Sequence, residues 1–388
     1  MIRFCRMAAI TVAALVAATA VSASPLPRFH IDPAQVSVSG LSSGGFMAVQ
    51  MHVIHSATFR AGAGIVAGGP YLCAQGAAYL ATGRCMAHSD TIPVGRLAAT
   101  TRSWAREGRI DPVENLQASR VYLFSGTKDP TVRPAVMDDL QAYYLNFVPS
   151  GHIDYNRTLP AGHAMVTEDN GAACGTTDSP YINDCDFDLA GAILQQLHGP
   201  LRARNDGPLQ GRFLQFDQTA FVAGHGMATS GWLFVPQDCA AGMACRLHVV
   251  FHGCHQNTAM VGDRFVRGAG YARWADTNRI VLLFPQTDTS ATNGCWDWWG
   301  YDSALYAQKT GPQVRAVKAM VDRLQGGALP IASACITALN TAHVSAGRAT
   351  YWWGMVIAAG SREPLGWPFG TTTLKEVAPG VFESGACP

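Results

Sequence analysis

Short apolar runs alternate with longer amphipathic stretches along most of this 388-residue chain. These runs are four or five residues long, with valine and serine alternating at residues 36–39, and turn-favouring residues flank them, which is typical of strands. The pattern predicts strands at residues 36–39, 64–68, 121–124, 247–251 and 280–284, and helices at 46–53, 97–107, 135–147, 264–277 and 312–324. Strands that alternate with helices indicate an α/β fold with a mainly parallel sheet covered on both faces.

The character of the chain changes after the helix predicted at 312–324. Residues 329–388 are rich in Gly, Thr and Ser and are bracketed by Cys335 and Cys387. A chain of this length can bury one large core and carry a small appendage. We therefore predict an α/β domain over residues 24–328 and a small C-terminal module over 329–388.

The first residues have the parts of an export signal. Arg3 and Arg6 give a positive start, residues 7–21 are almost entirely apolar, and Val21-Ser22-Ala23 offers the small residues that a signal peptidase needs. The alternative is a membrane anchor, but about fifteen apolar residues are short for a span. We predict a signal peptide over 1–23, removed on export to the periplasm or the extracellular space, and no membrane span in the mature chain.

Charge and composition argue against several classes of partner. The net charge is +1 and only 14% of the residues are charged, so the chain lacks a basic footprint for nucleic acid or for an acidic membrane surface. Glycine and proline are plentiful but show no period, which favours a loop-rich enzyme over a fibrous or disordered chain.

The cysteine count fits an oxidising compartment. Of eleven cysteines, Cys5 lies in the predicted signal, which leaves an even number in the mature chain. A zinc site is the alternative, but no Cys-x-x-Cys occurs. From nearness along the chain alone, we predict the disulfides Cys73–Cys85, Cys174–Cys185, Cys239–Cys245, Cys254–Cys295 and Cys335–Cys387.

A serine motif follows the first predicted strand. Gly40-Leu41-Ser42-Ser43-Gly44-Gly45 lies between a strand and a helix, where Gly-x-Ser-x-Gly forms a sharp turn that exposes the serine. The glycines avoid the clashes that side chains would make there. We predict Ser42 as a nucleophile. Ser43, which opens the helix, would give its backbone N–H to the oxyanion formed on an attacked ester carbonyl.

An acidic residue suited to such a site follows a later strand. Asp129 lies in Gly126-Thr127-Lys128-Asp129-Pro130, directly after the strand predicted at 121–124. The alternative is a turn-forming aspartate before proline, which is common in loops. We favour a catalytic role because this loop leaves the carboxyl end of a buried strand.

A histidine then follows in the order expected for a Ser–Asp–His triad. His163 lies in a glycine-flanked loop, and we predict that it takes the proton of Ser42 while Asp129 orients its ring. A lone histidine is more often structural than catalytic, and the chain has twelve. The alternatives, none of them in a comparable position after a strand, are His152, His198 and His225.

A late apolar strand ends in His252-Gly253-Cys254-His255. A zinc site using His248 and His252 is one interpretation, but residues four apart on a strand lie about 13 Å apart, and no Asp or Glu assists. A hydrophobic strand followed by His-Gly-x is typical of the loop that aims a second N–H, here that of Cys254, at the oxyanion. In an ordinary α/β-hydrolase this strand precedes the nucleophile strand, whereas here it follows some two hundred residues later.

Three clustered tryptophans would lie beside this loop if Cys254 pairs with Cys295. Trp296, Trp298 and Trp299 directly follow Cys295 in the sequence. Packing in the core is an almost equal alternative. Three tryptophans in so short a stretch beside a stapled loop cannot all point inward, so we expect at least one to face a substrate cleft.

Together, these motifs resemble the secreted poly(3-hydroxybutyrate) depolymerases, and more narrowly their type 2 catalytic domain. The resemblance covers residues 30–325 and rests on Gly40-Leu41-Ser42-Ser43-Gly44-Gly45, Gly126-Thr127-Lys128-Asp129, Ala161-Gly162-His163, Phe251-His252-Gly253-Cys254-His255-Gln256 and Asn293-Gly294-Cys295-Trp296-Asp297-Trp298-Trp299. It implies an α/β-hydrolase fold whose mainly parallel sheet is circularly permuted. It also implies a triad of Ser42, Asp129 and His163, with Ser43 and Cys254 as oxyanion donors. One tryptophan of the late cluster would line the crevice for the polyester chain, and Trp299 is favoured over Trp296 and Trp298.

The C-terminal module carries a more limited resemblance. Residues 340–349 resemble a short segment appended to some bacterial members, without a clear counterpart of a longer polymer-binding domain. Exposed Trp352, Trp353 or Trp367 could adsorb to a polymer surface. We expect instead that these tryptophans pack the module onto the hydrolase.

We therefore predict an exported serine esterase that cleaves short-chain polyhydroxyalkanoate, through an acyl-enzyme, to hydroxy acid and short oligomers. We expect a monomer that requires no metal and no organic cofactor. One alternative is another secreted carboxylesterase, acting on feruloyl, acetyl or short acyl esters with the same triad. The other is a non-catalytic polymer- or carbohydrate-binding protein on an inactive hydrolase scaffold.

Overall fold

The computed structural model describes residues 24–326, 336–378 and 381–385. The predicted signal peptide, residues 1–23, lies outside the described residues, and so do Cys335 and Cys387. Within the described parts of the chain, no helix is long and apolar enough to cross a membrane.

The described residues form strands β1–β17 and helices α1–α11. The strands are β1 (Ile31–Leu41), β2 (Gly62–Val66), β3 (Arg120–Phe124), β4 (Ile153–Asn156), β5 (Met165–Thr167), β6 (Ala172–Ala173), β7 (Ile182–Asp184), β8 (Arg212–Asp217), β9 (Ser230–Val235), β10 (Cys245–Phe251), β11 (Ile280–Phe284), β12 (Ile336–Leu339), β13 (Ala349–Trp352), β14 (Met355–Ala358), β15 (Pro364–Gly366), β16 (Thr371–Ala378) and β17 (Val381–Ser384). The helices are α1 (Ser43–Ile54), α2 (Ala78–Gly83), α3 (Val94–Arg106), α4 (Pro134–Tyr144), α5 (Leu189–His198), α6 (Gln237–Ala240), α7 (Thr258–Val261), α8 (Arg264–Gly268), α9 (Tyr271–Asn278), α10 (Pro312–Leu324) and α11 (Asn340–Ser345).

The central sheet has the strand order β4-β3-β2-β1-β10-β11-β9-β8. Neighbouring strands from β4 to β11 run parallel, while β9 joins β11 and β8 antiparallel. Helices fill the connections between these strands. The predicted α/β class with a mainly parallel sheet is confirmed.

The order of the strands in the sheet differs from their order in the chain. The late strand β10 lies directly beside β1, with Gly40 opposite Phe251, and β2 lies on the other side of β1. Read across the sheet, β8, β9, β11 and β10 lead up to β1, although all four follow it in the sequence. This is the circularly permuted α/β-hydrolase order, and it brings the carboxyl ends of β1 and β10 together.

Strand β1 runs through the middle of the sheet and is buried on both faces. Val36 and Val38 project to one face, because successive side chains on a strand alternate. On the other face, the hydroxyls of Ser37 and Ser39 hydrogen-bond both ring nitrogens of buried His248, at 2.7 and 2.8 Å. These bonds satisfy the histidine inside the core and leave neither nitrogen for a metal ion.

The helix predicted at 264–277 is wrong as a single element. The structure has two shorter helices there, α8 and α9, and they are separated at Gly270, which has a φ of 87°. A left-handed residue interrupts the helical hydrogen-bond ladder, and glycine adopts that conformation without a steric cost. Apolar residues continue across the break, so the periodicity alone suggested one helix.

Four of the predicted cysteine pairs are disulfides in the structure: Cys73–Cys85, Cys174–Cys185, Cys239–Cys245 and Cys254–Cys295. Cys335–Cys387 lies outside the described residues and stays a prediction.

The chain beyond residue 335 forms two three-stranded sheets, one of β12, β16 and β17 and one of β13, β14 and β15. Its small apolar cluster, which includes Leu374 and Phe382, is separate from the core of the large sheet. The expectation that the tryptophans of this region pack against the hydrolase is wrong. Trp352, Trp353 and Trp367 are 52, 89 and 73% exposed, because so small a core leaves large side chains on the surface.

Candidate active site

The turn after β1 holds Ser42 in an uncommon backbone conformation, with φ 58° and ψ −122°. The Ser42 N–H donates to Val66 O (2.9 Å), and the Ser42 carbonyl accepts from the Phe46 N–H (3.0 Å). The turn is thereby tied to β2 on one side and to α1 on the other. A residue with a side chain keeps a positive φ only where its surroundings fix it. Ser42 lines a cavity beyond the end of β1.

Two glycines allow this turn to form and to pack against the end of β10 and the loop that follows it. A Cβ on Gly40 would lie 2.1 Å from Gly44 O, and a Cβ on Gly44 would lie 2.4 Å from His252 O. Both distances are far below van der Waals contact, so no larger residue fits at either position. The serine turn and the loop after β10 therefore meet backbone against backbone.

Asp129 and His163 form a buried pair. The Nδ1–H of His163 donates to Asp129 Oδ2 (2.7 Å), and both side chains are shielded from solvent. The other carboxylate oxygen, Oδ1, accepts from the backbone N–H groups of Thr131 (2.8 Å) and Val132 (2.9 Å). These bonds fix the carboxylate, which in turn fixes the imidazole and leaves its Nε2 as a proton acceptor.

The loop that carries His163 is held by its own neighbours. The Gly162 N–H donates to Cys174 O (2.9 Å), and the His163 N–H donates to Thr177 Oγ1 (2.8 Å). Cys174 is in turn bonded to Cys185. A disulfide-stapled segment therefore braces the histidine loop.

Ser42 and His163 line the same cavity. The described hydrogen bonds of His163 are those to Asp129 and Thr177, and none of them reaches Ser42 Oγ. Catalytic hydrogen bonds are often long without substrate and tighten in the complex. The structure thus brings together the serine and histidine that were predicted from chain order, with Asp129 behind the ring.

The alternative histidines lie elsewhere, and none of them lines this cavity. His198 hydrogen-bonds Ser37 Oγ at 2.9 Å, and burial lowers its pKa to about 3. His225 pairs with Asp302 at 2.9 Å near the surface. His152 follows α4 and directly precedes the edge strand β4.

Ser43 and Cys254 also line the cavity. Ser43 is the first residue of α1, and Cys254 lies in the loop that follows β10. Within the described chain, neither backbone N–H has a hydrogen-bond acceptor. Two free donors beside a serine suit a negative charge that develops during a reaction.

Two of the three clustered tryptophans line the cavity, namely Trp298 and Trp299. Trp298 stacks on Phe46 with ring centroids 3.8 Å apart, and half-buried Trp299 lies edge-on to Trp298 at 5.2 Å.

The prediction of Trp296 as a substrate-facing residue is wrong. Its side chain is completely buried, and its Nε1–H donates to His252 O (3.1 Å). A buried indole N–H needs an acceptor, and the loop after β10 supplies one. Trp296 therefore supports that loop from inside the protein.

Sequence reasoning missed the part of the cavity wall that comes from α2. Ala78, Ala81 and Thr82 of this helix face the cavity, and the Cys73–Cys85 disulfide encloses the helix. The available signal was the position of this cysteine pair, which follows β2 at the same end of the sheet as Ser42.

Sequence reasoning also missed the structural role of Asp297. Its carboxylate accepts backbone N–H bonds from Gly300, Tyr301, Asp302 and Ser303. Burial raises the pKa of Asp297, and these four donors oppose that rise. Asp297 therefore organises the loop that carries the tryptophans.

The cavity has a volume of about 440 Å³. Its walls are mainly apolar, with Leu41, Phe46, Met86 and Val132 beside the tryptophans. A serine hydroxyl, a histidine held by a carboxylate and two N–H donors within apolar walls suit acyl transfer on an uncharged ester with small aliphatic groups. No group of His, Cys, Asp and Glu in the described chain is placed to hold a metal ion.

The chain is similar to two proteins of known activity. It is 54% identical over 345 residues to the poly(3-hydroxybutyrate) depolymerase of Delftia acidovorans, a match that covers 87% of this chain and 70% of that protein. It is 41% identical over 330 residues to the polyhydroxybutyrate depolymerase of Talaromyces funiculosus, covering 80% of this chain and 95% of that one. No protein-family model matches the chain.

Two solved structures resemble the fold over 78% of this chain and 99% of their own length. One is the crystal structure of PHB depolymerase from Penicillium funiculosum, at 39% identity and a TM-score of 0.74. The other is a serine-to-alanine variant of PHB depolymerase complexed with an R3HB trimer, at 40% identity and the same TM-score.

The contact between the serine turn and the β10 loop predicts the effect of one added methyl group. We expect Gly44→Ala to lower the free energy of unfolding by at least about 2 kcal/mol and to reduce esterase activity, because its Cβ would overlap the backbone of β10. Gly95→Ala is the matched control, since a Cβ there meets open space. Urea unfolding and hydrolysis of p-nitrophenyl butyrate measure both effects. Equal stability and activity in the two variants would contradict the prediction.

Proposed function

The chain belongs to the poly(3-hydroxybutyrate) depolymerases, and from this premise we propose that Ser42, His163 and Asp129 perform its ester hydrolysis. The protein is a serine esterase that hydrolyses poly(3-hydroxybutyrate) to hydroxy acid and short oligomers. The main support for the residue roles is geometric. Ser42 and His163 line one cavity, and Asp129 accepts a hydrogen bond from Nδ1–H of the His163 ring. Family membership leaves the alternative of a feruloyl or acetyl esterase without support.

Acylation begins when His163 Nε2 takes the proton of Ser42 Oγ and the oxygen attacks an ester carbonyl of the polymer. The carbonyl oxygen becomes an oxyanion in a tetrahedral intermediate. The bond between the carbonyl carbon and the leaving alkoxide then breaks, and His163 returns the proton to that alkoxide. One polymer fragment leaves as an alcohol, and the other stays as an ester on Ser42.

Deacylation repeats these steps with water as the nucleophile. His163 takes a proton from water, and the resulting hydroxide attacks the acyl-enzyme carbonyl. The Ser42 ester bond breaks, and the proton returns to Ser42 Oγ. The product is a carboxylic acid and the enzyme is regenerated. Each turnover therefore uses one ester bond of the polymer and one water molecule.

Asp129 acts throughout on the charge and orientation of His163. When the ring takes a proton, its positive charge lies next to the carboxylate, 2.7 Å away. The two backbone N–H bonds to Oδ1 keep the carboxylate in place. Asp129 stabilises the imidazolium by this contact without itself being protonated.

The oxyanion binds to the backbone N–H groups of Ser43 and Cys254 in this mechanism. Both donors are fixed before substrate arrives, so no reorganisation is needed as charge develops. Removal of one such donor typically costs about 10²–10³-fold in kcat. Trp299 is the tryptophan that we propose contacts the polyester, because it lines the cavity and is only half-buried.

Export is the second element of the proposal. Four disulfides in the described chain indicate folding in an oxidising compartment. This agrees with the proposed role of residues 1–23 as a cleaved signal peptide. We propose that the mature enzyme begins at Ser24 and acts as a monomer.

The C-terminal module is the third element, and we propose that it adsorbs to the polymer surface. Trp353 and Phe369 are 89 and 86% exposed, which is unusual for side chains of this size. Trp352 and Trp367 add to the exposed aromatic area. Poly(3-hydroxybutyrate) has an aliphatic backbone with methyl side groups, so aromatic side chains on a small module gain by burying apolar surface against it.

The role of Ser42 is tested by alanine substitution. We expect Ser42→Ala to lower kcat on amorphous poly(3-hydroxybutyrate) and on p-nitrophenyl butyrate by at least about 10⁴-fold, because no nucleophile remains. Ser119→Ala, at a buried serine outside the cavity, is the matched control. Full hydrolysis by the Ser42→Ala variant would show that another residue is the nucleophile.

Export is tested by expressing the full chain in a bacterial host and sequencing the N-terminus of the protein recovered outside the cytoplasm. We expect a single N-terminus at Ser24, since the small residues before it suit signal peptidase. An enzyme that keeps residues 1–23, or that stays in the cytoplasm, would refute export.

Adsorption by the module is tested with Trp353→Ser combined with Phe369→Ser. We expect the amount bound to polymer at a fixed protein concentration to fall about tenfold or more, because two large apolar side chains are lost. Activity on soluble p-nitrophenyl butyrate should stay unchanged. Leu214→Ser, at an exposed residue of β8, is the control. Undiminished adsorption of the double variant would assign polymer binding to another surface.

A further inference from the structure

Hydrogen bonds hold the start of the loop after β10, at the peptide groups on either side of Gly253. The Trp296 Nε1–H donates to His252 O (3.1 Å). The Gly253 N–H donates to Gln256 Oε1 (2.7 Å), and the Gln256 amide donates to Pro180 O and Tyr181 O. The side chain of His252 makes a further hydrogen bond, in which Nδ1 lies 2.7 Å from Gly253 O. Within the described chain, the Cys254 N–H has no hydrogen-bond acceptor, and Cys254 lines the cavity.

The bond to Gly253 O controls the direction of the Cys254 N–H. Gly253 C=O and Cys254 N–H belong to the same planar peptide group and point in opposite directions in a trans peptide. Holding the oxygen against the His252 ring therefore aims the N–H away from that ring. Gly253 lies directly beside the nucleophile, since a Cβ on it would be 3.4 Å from Ser42 Cβ.

Glycine at position 253 makes this control necessary. A glycine turns about its backbone bonds more freely than any other residue, so it offers little resistance to rotation of the following peptide. A rotation by half a turn would replace the N–H donor with a carbonyl oxygen. That oxygen would repel the negative charge that forms on the substrate.

The hydrogen-bond partners specify the tautomer of His252. A carbonyl oxygen only accepts, so Nδ1 carries the proton that binds Gly253 O. Nε2 is then an acceptor, and the Thr287 N–H lies 3.3 Å away. The Thr287 hydroxyl donates instead to Gly294 O (2.8 Å). Burial lowers the pKa of His252 to about 4, so the ring stays neutral in this form at neutral pH.

We propose that His252 is a positioning residue, whose Nδ1–H holds the Gly253–Cys254 peptide with its N–H aimed at the oxyanion. This inference rests on the proposed function, in which the Cys254 N–H is an oxyanion donor. The bond to the substrate oxygen strengthens as negative charge develops. Loss of the positioning bond therefore lowers kcat and leaves KM nearly unchanged.

Two substitutions separate positioning from a general structural role. In His252→Asn, the side-chain N–H₂ takes the place of Nδ1–H as a donor, whereas His252→Leu has no donor. We expect His252→Leu to lower kcat on p-nitrophenyl butyrate about 10- to 100-fold with KM changed less than about twofold, within the cost of losing an oxyanion donor. His252→Asn should recover kcat to within about fivefold of the wild type. The rate of phosphonate labelling at Ser42 should fall in parallel with kcat.

The outcomes distinguish this inference from the proposed function. If Ser42→Ala stays active, the proposed function fails. If Ser42→Ala is inactive and His252→Leu keeps wild-type kcat, only the role of His252 fails. Equal losses in both His252 variants, with rising KM and a lower thermal midpoint, would also overturn the role of His252, because they indicate a packing residue.

A measurement on the wild-type protein covers the case in which His252→Leu does not fold. In protein labelled with ¹⁵N-histidine, the His252 signals are identified by their loss in His252→Asn. We expect a protonated Nδ1 and an unprotonated Nε2 from pH 8 to about pH 5. An Nε2–H tautomer in that range would overturn the inference.

Discussion

The parallel pairing of β1 with β10 is the constraint on which the rest of the structure depends. It places Gly40 opposite Phe251, so the serine turn and the loop after β10 leave the sheet side by side although they are some two hundred residues apart. The contact is close, because Gly44 leaves no room for a Cβ against the β10 loop. Ser42, which we propose as the nucleophile, and the proposed oxyanion donors Ser43 and Cys254 are therefore positioned by one shared backbone surface.

Around that surface, most polar groups are held by backbone hydrogen bonds. Asp129 is fixed by two N–H groups, and Asp297 by four. The Cys254–Cys295 disulfide then joins the loop after β10 to the loop that carries Trp296, Trp298 and Trp299. A site built in this way presents its charges and donors before substrate binds, which is the condition for strong electrostatic stabilisation of a transition state. The apolar walls add a medium in which those interactions are little screened.

Much of the site could be predicted from the sequence because its signals are local. Ser42 is marked by a strand, a glycine turn and a helix, and Asp129 and His163 follow in loops in the expected order. The burial of Trp296 could not be predicted, because it depends on which side of a loop packs against the core. The wall formed by α2 was missed for the same reason. The break at Gly270 was hidden by apolar residues on both sides of it. The exposure of Trp353 depends on how small a core the module forms, and the boundary near residue 328 stays a prediction.

A crystal structure of the enzyme inactivated by a serine-directed alkyl phosphonate would show directly whether the β1–β10 junction forms the active site. We expect a covalent bond to Ser42 Oγ, with one phosphonyl oxygen within about 2.7–3.1 Å of both the Ser43 and the Cys254 backbone nitrogens. His163 Nε2 should lie within hydrogen-bond distance of the Ser42 oxygen. Labelling of another residue, or a phosphonyl oxygen bound away from these two N–H groups, would contradict the claim that the β1–β10 junction forms the active site.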